Sequence, residues 1–130
     1  MKPKVVGLVT TIGLLVVAIS ANGHHSFASV FDKESPINLT GTVTKVEWMN
    51  PHTWFYVDVE NEDGVVENWA LEMGSPNTLV RRGWNHNSLQ VGHMVTVAGF
   101  RARERELTGA VRSVTLSTGE RLFGAQDESR

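Results

Sequence analysis

The fold is decided by a stretch that reads TWFYVDVENEDGVVENWALEM, residues 53–73. Along Thr53–Val59, the apolar residues Phe55, Val57 and Val59 alternate with Trp54, Tyr56 and Asp58, which predicts a β-strand with one face in the core. Asn61–Gly64 then forms a tight turn, because Gly64 can adopt positive φ without steric cost. Val65–Met73 predicts a second strand, paired with the first as a hairpin. One face of this second strand carries Trp69, Leu71 and Met73, and the other carries Asn68, Ala70 and Glu72, which we expect to be exposed.

Three further segments on either side are rich in β-branched and aromatic residues, which favour strands. They are Ile37–Trp48, Met94–Arg101 and Gly109–Leu116. The first is interrupted by Gly41, where a strand can bend sharply. Residues 119–124 are expected to add a short edge segment.

One short helix is predicted between the third and fourth strands. Ser75 suits the N-cap, Pro76 suits the first helical position and Gly83 suits the C-terminal stop. The order is therefore strand, strand, strand, helix, strand, strand. This order predicts a mainly β fold, a five-stranded OB-like Greek-key barrel over residues 37–124.

Residues 1–23 have the pattern of a secretory signal peptide. Lys2 and Lys4 are basic, Val5–Ile19 is uncharged and mostly apolar, and small residues follow. An apolar run of this length is short for a membrane span, although an uncleaved anchor remains the alternative. We therefore expect a periplasmic or secreted protein that meets the membrane only through its signal peptide. Residues 24–36 would form an N-terminal arm and linker, and residues 125–130 a polar tail.

Composition excludes several classes of function. The chain has no cysteine, which excludes thiolate metal sites, redox dithiols and cysteine nucleophiles. Twelve Lys and Arg residues stand against 14 Asp and Glu residues, so the basic footprint of a nucleic-acid-binding protein is missing. No nucleophile-elbow, zincin or phosphate-loop motif is present, and we expect a protein that is not an enzyme.

Two adjacent histidines, His24 and His25, open the predicted mature chain. Cleavage after Gly23 would give His24 both a free amine and an imidazole, a nitrogen set that suits Cu(II), with Zn(II) less favoured. Cleavage after Ala21 would place His24 third in the chain, which favours square-planar Cu(II) or Ni(II). Cleavage after Ser20 also fits the small-residue rule. The alternative is that both histidines are solvated residues of a mobile terminus.

A second candidate is the loop Asn50-Pro51-His52, which joins the first two predicted strands. Pro51 stiffens this corner, and His52 lies between two tryptophans, so it could complete a metal site with His24 and His25 or cap a ligand. The alternative is that His52 bonds a backbone group while the tryptophans seal the barrel end. Two large aromatics on the outer face of the second strand suggest a covered or binding surface, and the N-terminal arm is the expected cover. The candidate ligand-binding residues are Asn50, Trp54, Tyr56 and Glu72.

The chain resembles a family of small exported bacterial proteins catalogued only as a domain of unknown function. The resemblance is carried by HHSF at 24–27, LTGTV at 39–43, NPH at 50–52, Trp69, GSPN at 74–77, RRGW at 81–84 and VGHMVTVAG at 91–99. It covers nearly the whole mature chain and implies export and an OB-like fold. His93 stands where an aspartate is common after the glycine of such turns, which would weaken the turn's hydrogen bonding.

These observations predict an exported binding module that holds a transition metal, copper above all, through its histidines. The alternative is a structural or interaction module that docks another exported protein or an envelope polymer through an aromatic face.

Overall fold

The computed structural model describes residues 26–126. The predicted signal peptide, His24, His25 and residues 127–130 lie outside this range. The elements are α1 (Ser26–Val30), β1 (Phe31–Glu47), β2 (Trp54–Glu60), β3 (Val66–Glu72), α2 (Pro76–Arg81), β4 (Met94–Ala102), β5 (Thr108–Leu116) and β6 (Arg121–Phe123). The mainly β class and the helix between the third and fourth strands are thus confirmed. No helix within residues 26–126 is both long enough and apolar enough to cross a membrane.

The six strands form one sheet in the order β3-β2-β1-β4-β5-β6, with an additional pairing of β3 with β5. This additional pairing is parallel, whereas the other pairings are antiparallel. The pairings of β1 to β5 therefore form a continuous circuit, from β1 through β2, β3, β5 and β4 back to β1. Strand β6 extends the sheet from β5, in the region where an edge segment was predicted.

Strand β1 is 17 residues long and pairs with two neighbours in succession. Residues 31–42 pair with β4, and residues 42–47 pair with β2. The change of partner falls next to Gly41, where the bend was predicted. A Cβ atom at this position would lie 2.1 Å from the carbonyl oxygen of Asp58, so only glycine lets β2 come this close.

The interpretation of Asp32–Pro36 as a linker is wrong, because these residues lie inside β1. Phe31 pairs with Ala102 of β4, and regular pairing resumes at Pro36 after a register shift. Polar composition and a proline suggested that no strand forms here. Pairing with β4 before and after the register shift nevertheless keeps this segment in the sheet.

The main core lies between the inward faces of the strands. Trp69, Leu71 and Met73 are all buried, as their alternation predicted, and so are Phe55 and Val57 on β2. A second, smaller cluster consists of Phe31, Ala102 and Ala110, with Phe27 of α1 packed against it. The second cluster attaches α1 to the sheet.

Helix α2 begins and ends as its sequence predicts. The Ser75 hydroxyl accepts a hydrogen bond from the backbone N–H of Thr78 at 3.3 Å, and Pro76 opens the helix. Gly83 follows the helix with a φ of 96°. Just beyond it, Trp84 is buried and donates its indole N–H to the carbonyl oxygen of Phe123 at 2.9 Å. This bond joins the helix exit to β6.

Candidate functional site

A cleft of about 400 Å³ lies where the N-terminal arm meets the ends of β2 and β3. One side is formed by Phe27, Val30 and Phe31 from α1 and the start of β1. Pro51 and His52 border the cleft from the β1–β2 loop, and Glu72 borders it from the last position of β3. The cleft thus brings together residues from three separate parts of the chain.

The imidazole of His52 contacts the carboxylate of Glu72 at this cleft. The Nδ1 atom of His52 lies 2.6 Å from Oε1 of Glu72, and the two side chains are 44% and 10% exposed, respectively. In the tautomer that fits this contact, Nδ1 carries the proton that it donates to Glu72, and Nε2 is the nitrogen that faces a ligand as an acceptor. The carboxylate therefore fixes both the orientation of the ring and the nitrogen that can bind a ligand.

Backbone hydrogen bonds attach the loop that carries His52 to the end of β3. The peptide bond between Asn50 and Pro51 is cis. Directly after His52, the backbone N–H of Thr53 donates to the carbonyl oxygen of Gly74 at 3.0 Å. The carbonyl oxygen of Thr53 in turn accepts from the backbone N–H of Met73 at 2.8 Å. These bonds attach the loop to the end of β3, which places His52 beside Glu72. Asn50 is exposed in the same turn and does not line the cleft.

A second donor reaches the same carboxylate from the C-terminal segment. The side-chain amide of Gln126 donates to Oε1 of Glu72 at 3.0 Å and to the carbonyl oxygen of Met73 at 2.8 Å. The prediction that Glu72 is exposed is wrong, because only 8% of the residue is accessible. Gln126, which the sequence assigned to a polar tail, is buried with it. The alternation of β3 does place Glu72 on the outer face, but the cleft walls cover that face at this point.

The N-terminal arm is held against the sheet by ring contacts and by one arginine. The ring of Phe27 lies 5.2 Å from that of Phe31 and packs edge-on against Phe100 at 6.5 Å. Arg103 donates its Nε–H to the carbonyl oxygen of Ala28 and its backbone N–H to that of Val30, both at 2.8 Å. The described part of the arm therefore lines the same cleft as His52. His24 and His25 come directly before it in the chain, outside the described residues.

Trp54 and Tyr56 lie on the outer face of β2, beyond the cleft lining. The guanidinium of Arg105 lies 5.6 Å from the Trp54 ring. The Tyr56 hydroxyl donates to Oε2 of Glu47 at 3.1 Å, and Lys45 binds the other oxygen of Glu47 at 2.6 Å. These contacts come from Arg105, Glu47 and Lys45, and the expected cover by the N-terminal arm stays a prediction. Burial, and then the hydrogen bond to Glu47, raise the pKa of Tyr56.

The remaining described histidines have structural partners. The ring of His86 lies 4.6 Å from that of Trp48. His93 accepts a hydrogen bond at Nδ1 from the backbone N–H of Gln90 at 3.2 Å. Its imidazole thus makes the kind of turn contact that an aspartate would make, and the expected weakening of this turn does not follow.

Within residues 26–126, no three side chains of the His, Cys, Asp and Glu types lie close enough to hold a metal ion. Sequence analysis missed Gln126 and the aromatic wall formed by Phe27 and Phe31. Phe27 and Phe31 could be predicted only to pack somewhere on the sheet, and nothing in the polar segment around Gln126 indicates a buried partner.

The chain matches the model of a known protein family. The model of a family of unknown function, DUF6152, matches residues 11–112, which is most of the chain. No protein of curated function matches the sequence.

Proposed function

The chain belongs to the DUF6152 family of unknown function, and we propose that it is an exported binding module whose histidines hold a transition-metal ion. Cu(II) is the expected ion and Zn(II) the second choice, because an all-nitrogen set of imidazoles with a terminal amine suits them in that order. The residues that would hold the metal are His24, His25 and His52.

Two features support an exported, OB-like module. The continuous circuit of pairings among β1 to β5, with a helix between the third and fourth strands, matches the element order and closure of a five-stranded OB-like barrel. The basic start and the apolar run of residues 5–19 match a secretory signal peptide, which implies a periplasmic or secreted location.

The contact between His52 and Glu72 is the observation that carries the metal proposal. Metal-binding histidines commonly donate their second ring N–H to a carboxylate, which fixes the tautomer and increases the basicity of the ligating nitrogen. Glu72 gives His52 this arrangement before any metal is bound. The long side chain of Gln126 in turn fixes Glu72, so the orientation of the imidazole is set by two successive layers of contacts.

The short separation in sequence between His25 and the cleft supports a shared site. His25 is two residues before Phe27, which lines the cleft. Successive Cα atoms are about 3.8 Å apart, so the Cα atom of His25 lies within about 8 Å of that of Phe27. An imidazole on such a short tether can share an ion with His52.

Copper titration of the mature protein tests the proposal. We expect one equivalent of Cu(II) with a visible d–d band, and we expect the band to be lost in His24→Ala/His25→Ala and shifted in His52→Ala.

Glu72→Gln should weaken the affinity for Cu(II) by about 10- to 100-fold, as is usual when the partner of a metal-binding histidine is removed. His86→Ala is the control, since the His86 ring packs against Trp48 and does not line the cleft. Unchanged copper binding without His24, His25 and His52 would refute the proposal.

A second function is favoured by the outer face of β1 and β2. Trp54 and Tyr56 are half-buried there, and Arg105, Glu47 and Lys45 hold them in place. We propose as the alternative that this prearranged face docks another exported protein or an envelope polymer. Trp54→Ala should then abolish retention of the partner and leave copper binding intact, which separates the two functions.

A further inference from the structure

The cleft is larger than a metal ion requires. A volume of about 400 Å³ falls within the range of small-molecule sites, roughly 300–1,000 Å³, and the share of one water in the liquid is only about 30 Å³. An ion with its ligand atoms would leave most of this space to solvent or to an organic molecule.

The walls of the cleft differ sharply in polarity. Phe27, Val30, Phe31 and Pro51 form a continuous apolar side. Phe27 is held in place by its contacts with Phe31 and Phe100, so this side is formed before a ligand arrives. A preformed apolar wall favours the ring or chain of a ligand, because binding then costs little ordering of the protein.

The polar part of the lining includes Glu72, His52 and Gln126. The side chains that line the cleft within the described chain include one carboxylate, that of Glu72, and no lysine or arginine. This carboxylate is only 10% exposed, so water screens its charge poorly. The hydroxyls of Ser75 and Thr78, which also line the cleft, are 2.9 Å apart and hydrogen-bonded to each other. Among the lining groups, the Glu72 carboxylate therefore favours a cationic group of a ligand over a carboxylate or phosphate.

We propose that the cleft binds a small organic amine, with its apolar body against Phe27 and Pro51 and its ammonium group against Glu72. The protonated amine donates to the Glu72 carboxylate, in place of the imidazole N–H of His52 or beside it. This site shares Glu72 and His52 with the proposed metal site. It does not depend on His24, His25 or a bound ion, so it can be tested separately.

Three probes of nearly equal size test the proposal: benzylamine, benzyl alcohol and benzoate. Each is titrated into the chelator-treated mature protein at pH 7, with binding followed by calorimetry and by the NMR shift of the Gly74 amide. We expect benzylamine to bind at least tenfold more tightly than benzyl alcohol, and benzoate to bind least. Glu72→Gln should weaken benzylamine binding at least tenfold and leave benzyl alcohol within twofold. The matched control is Glu67→Gln on the same strand, whose carboxylate accepts from Asn61 outside the cleft.

The outcomes separate this inference from the metal proposal. Benzylamine binding that survives in His24→Ala/His25→Ala supports the amine site whatever copper does. Benzoate that binds as well as benzylamine, or benzylamine binding that Glu72→Gln leaves unchanged, overturns the amine site alone. If Glu72→Gln does not fold, Phe27→Ala provides the test, because it removes the apolar wall outside the main core and should weaken benzylamine and benzyl alcohol alike. Wild-type affinity for both probes in that variant would also overturn the inference.

Discussion

A buried carboxylate needs hydrogen-bond donors, and Glu72 has two that come from distant parts of the chain. His52 donates from the β1–β2 loop and Gln126 from a position 54 residues further along. The motif around Pro51 indicated that His52 is held on a rigid corner. Neither partner of Glu72 could be predicted, because alternation along β3 assigns a face to a residue and says nothing about what covers that face.

Loss of the second donor should destabilise the protein. Gln126→Ala removes two buried hydrogen bonds and leaves the Glu72 carboxylate with fewer donors, so we expect the free energy of unfolding to fall by about 1–3 kcal/mol. Urea unfolding measures the change. Gln90→Ala is the control, because the Gln90 amide makes an exposed bond to Asn87 and its loss should cost less than about 0.5 kcal/mol. Equal effects of the two substitutions would contradict this account of Gln126.

Tyr56 is the single tyrosine of the chain, so ultraviolet titration reports its ionisation alone. Burial and the hydrogen bond to Glu47 favour the neutral phenol, which raises the pKa of Tyr56 above its ordinary value of about 10. The stability linked to this group is therefore complete below the pKa of the unfolded chain and is lost as the pH rises through the folded pKa. Glu47→Gln should lower the pKa of Tyr56 in the folded protein. A pKa that stays the same in this variant would show that Glu47 does not act on the phenol.

Among the elements, β1 does the most to organise the sheet, because one strand serves two neighbours. Its alternation and its bend at Gly41 could be predicted from local sequence. The start of the strand could not, because the polar residues Lys33 and Glu34 and the proline at position 36 all disfavour a strand. Pairing with β4 overrides these local preferences. The start of β1 was therefore predicted too late because it depends on a tertiary contact that local sequence does not reveal.

Gly41→Ala should be strongly destabilising. The added Cβ atom would meet the backbone of Asp58, which cannot move without shifting β2. Overpacking of this kind typically costs about 1–3 kcal/mol, and contact with backbone belongs at the upper end of that range. Thr40→Ala on the same strand is the control, since Thr40 makes an exposed hydroxyl contact with Thr96. Chemical unfolding of both variants provides the measurement, and a near-neutral Gly41→Ala would show that β1 and β2 can separate at little cost.

For the molecule as a whole, the order of the elements could be predicted, whereas the particular pairing of β3 with β5 could not. The parallel pairing of β3 with β5 joins segments that no turn connects, and its register depends on the packing of the complete fold. The position of α1 is equally non-local. Its anchor is the small second cluster with Arg103, apart from the main core.

This separate anchor predicts that the arm opens by itself. Phe27→Ala should speed hydrogen exchange at the Arg103 amide, which donates to Val30, and should leave the Val57 amide in the centre of β2 unchanged. Native-state exchange followed by NMR measures both sites. Faster exchange at both sites would mean that the arm and the core unfold together, which the two separate clusters do not predict.

Phe27 and Gln126, close to the two ends of the described chain, both line the cleft. A purification handle or fluorescent reporter joined directly before Phe27 or directly after Gln126 would therefore be tethered beside the cleft. The Asn61–Gly64 turn offers a better point of insertion. It lies at the far end of β2, a strand of seven residues, or about 20 Å from Trp54 at the usual rise per residue.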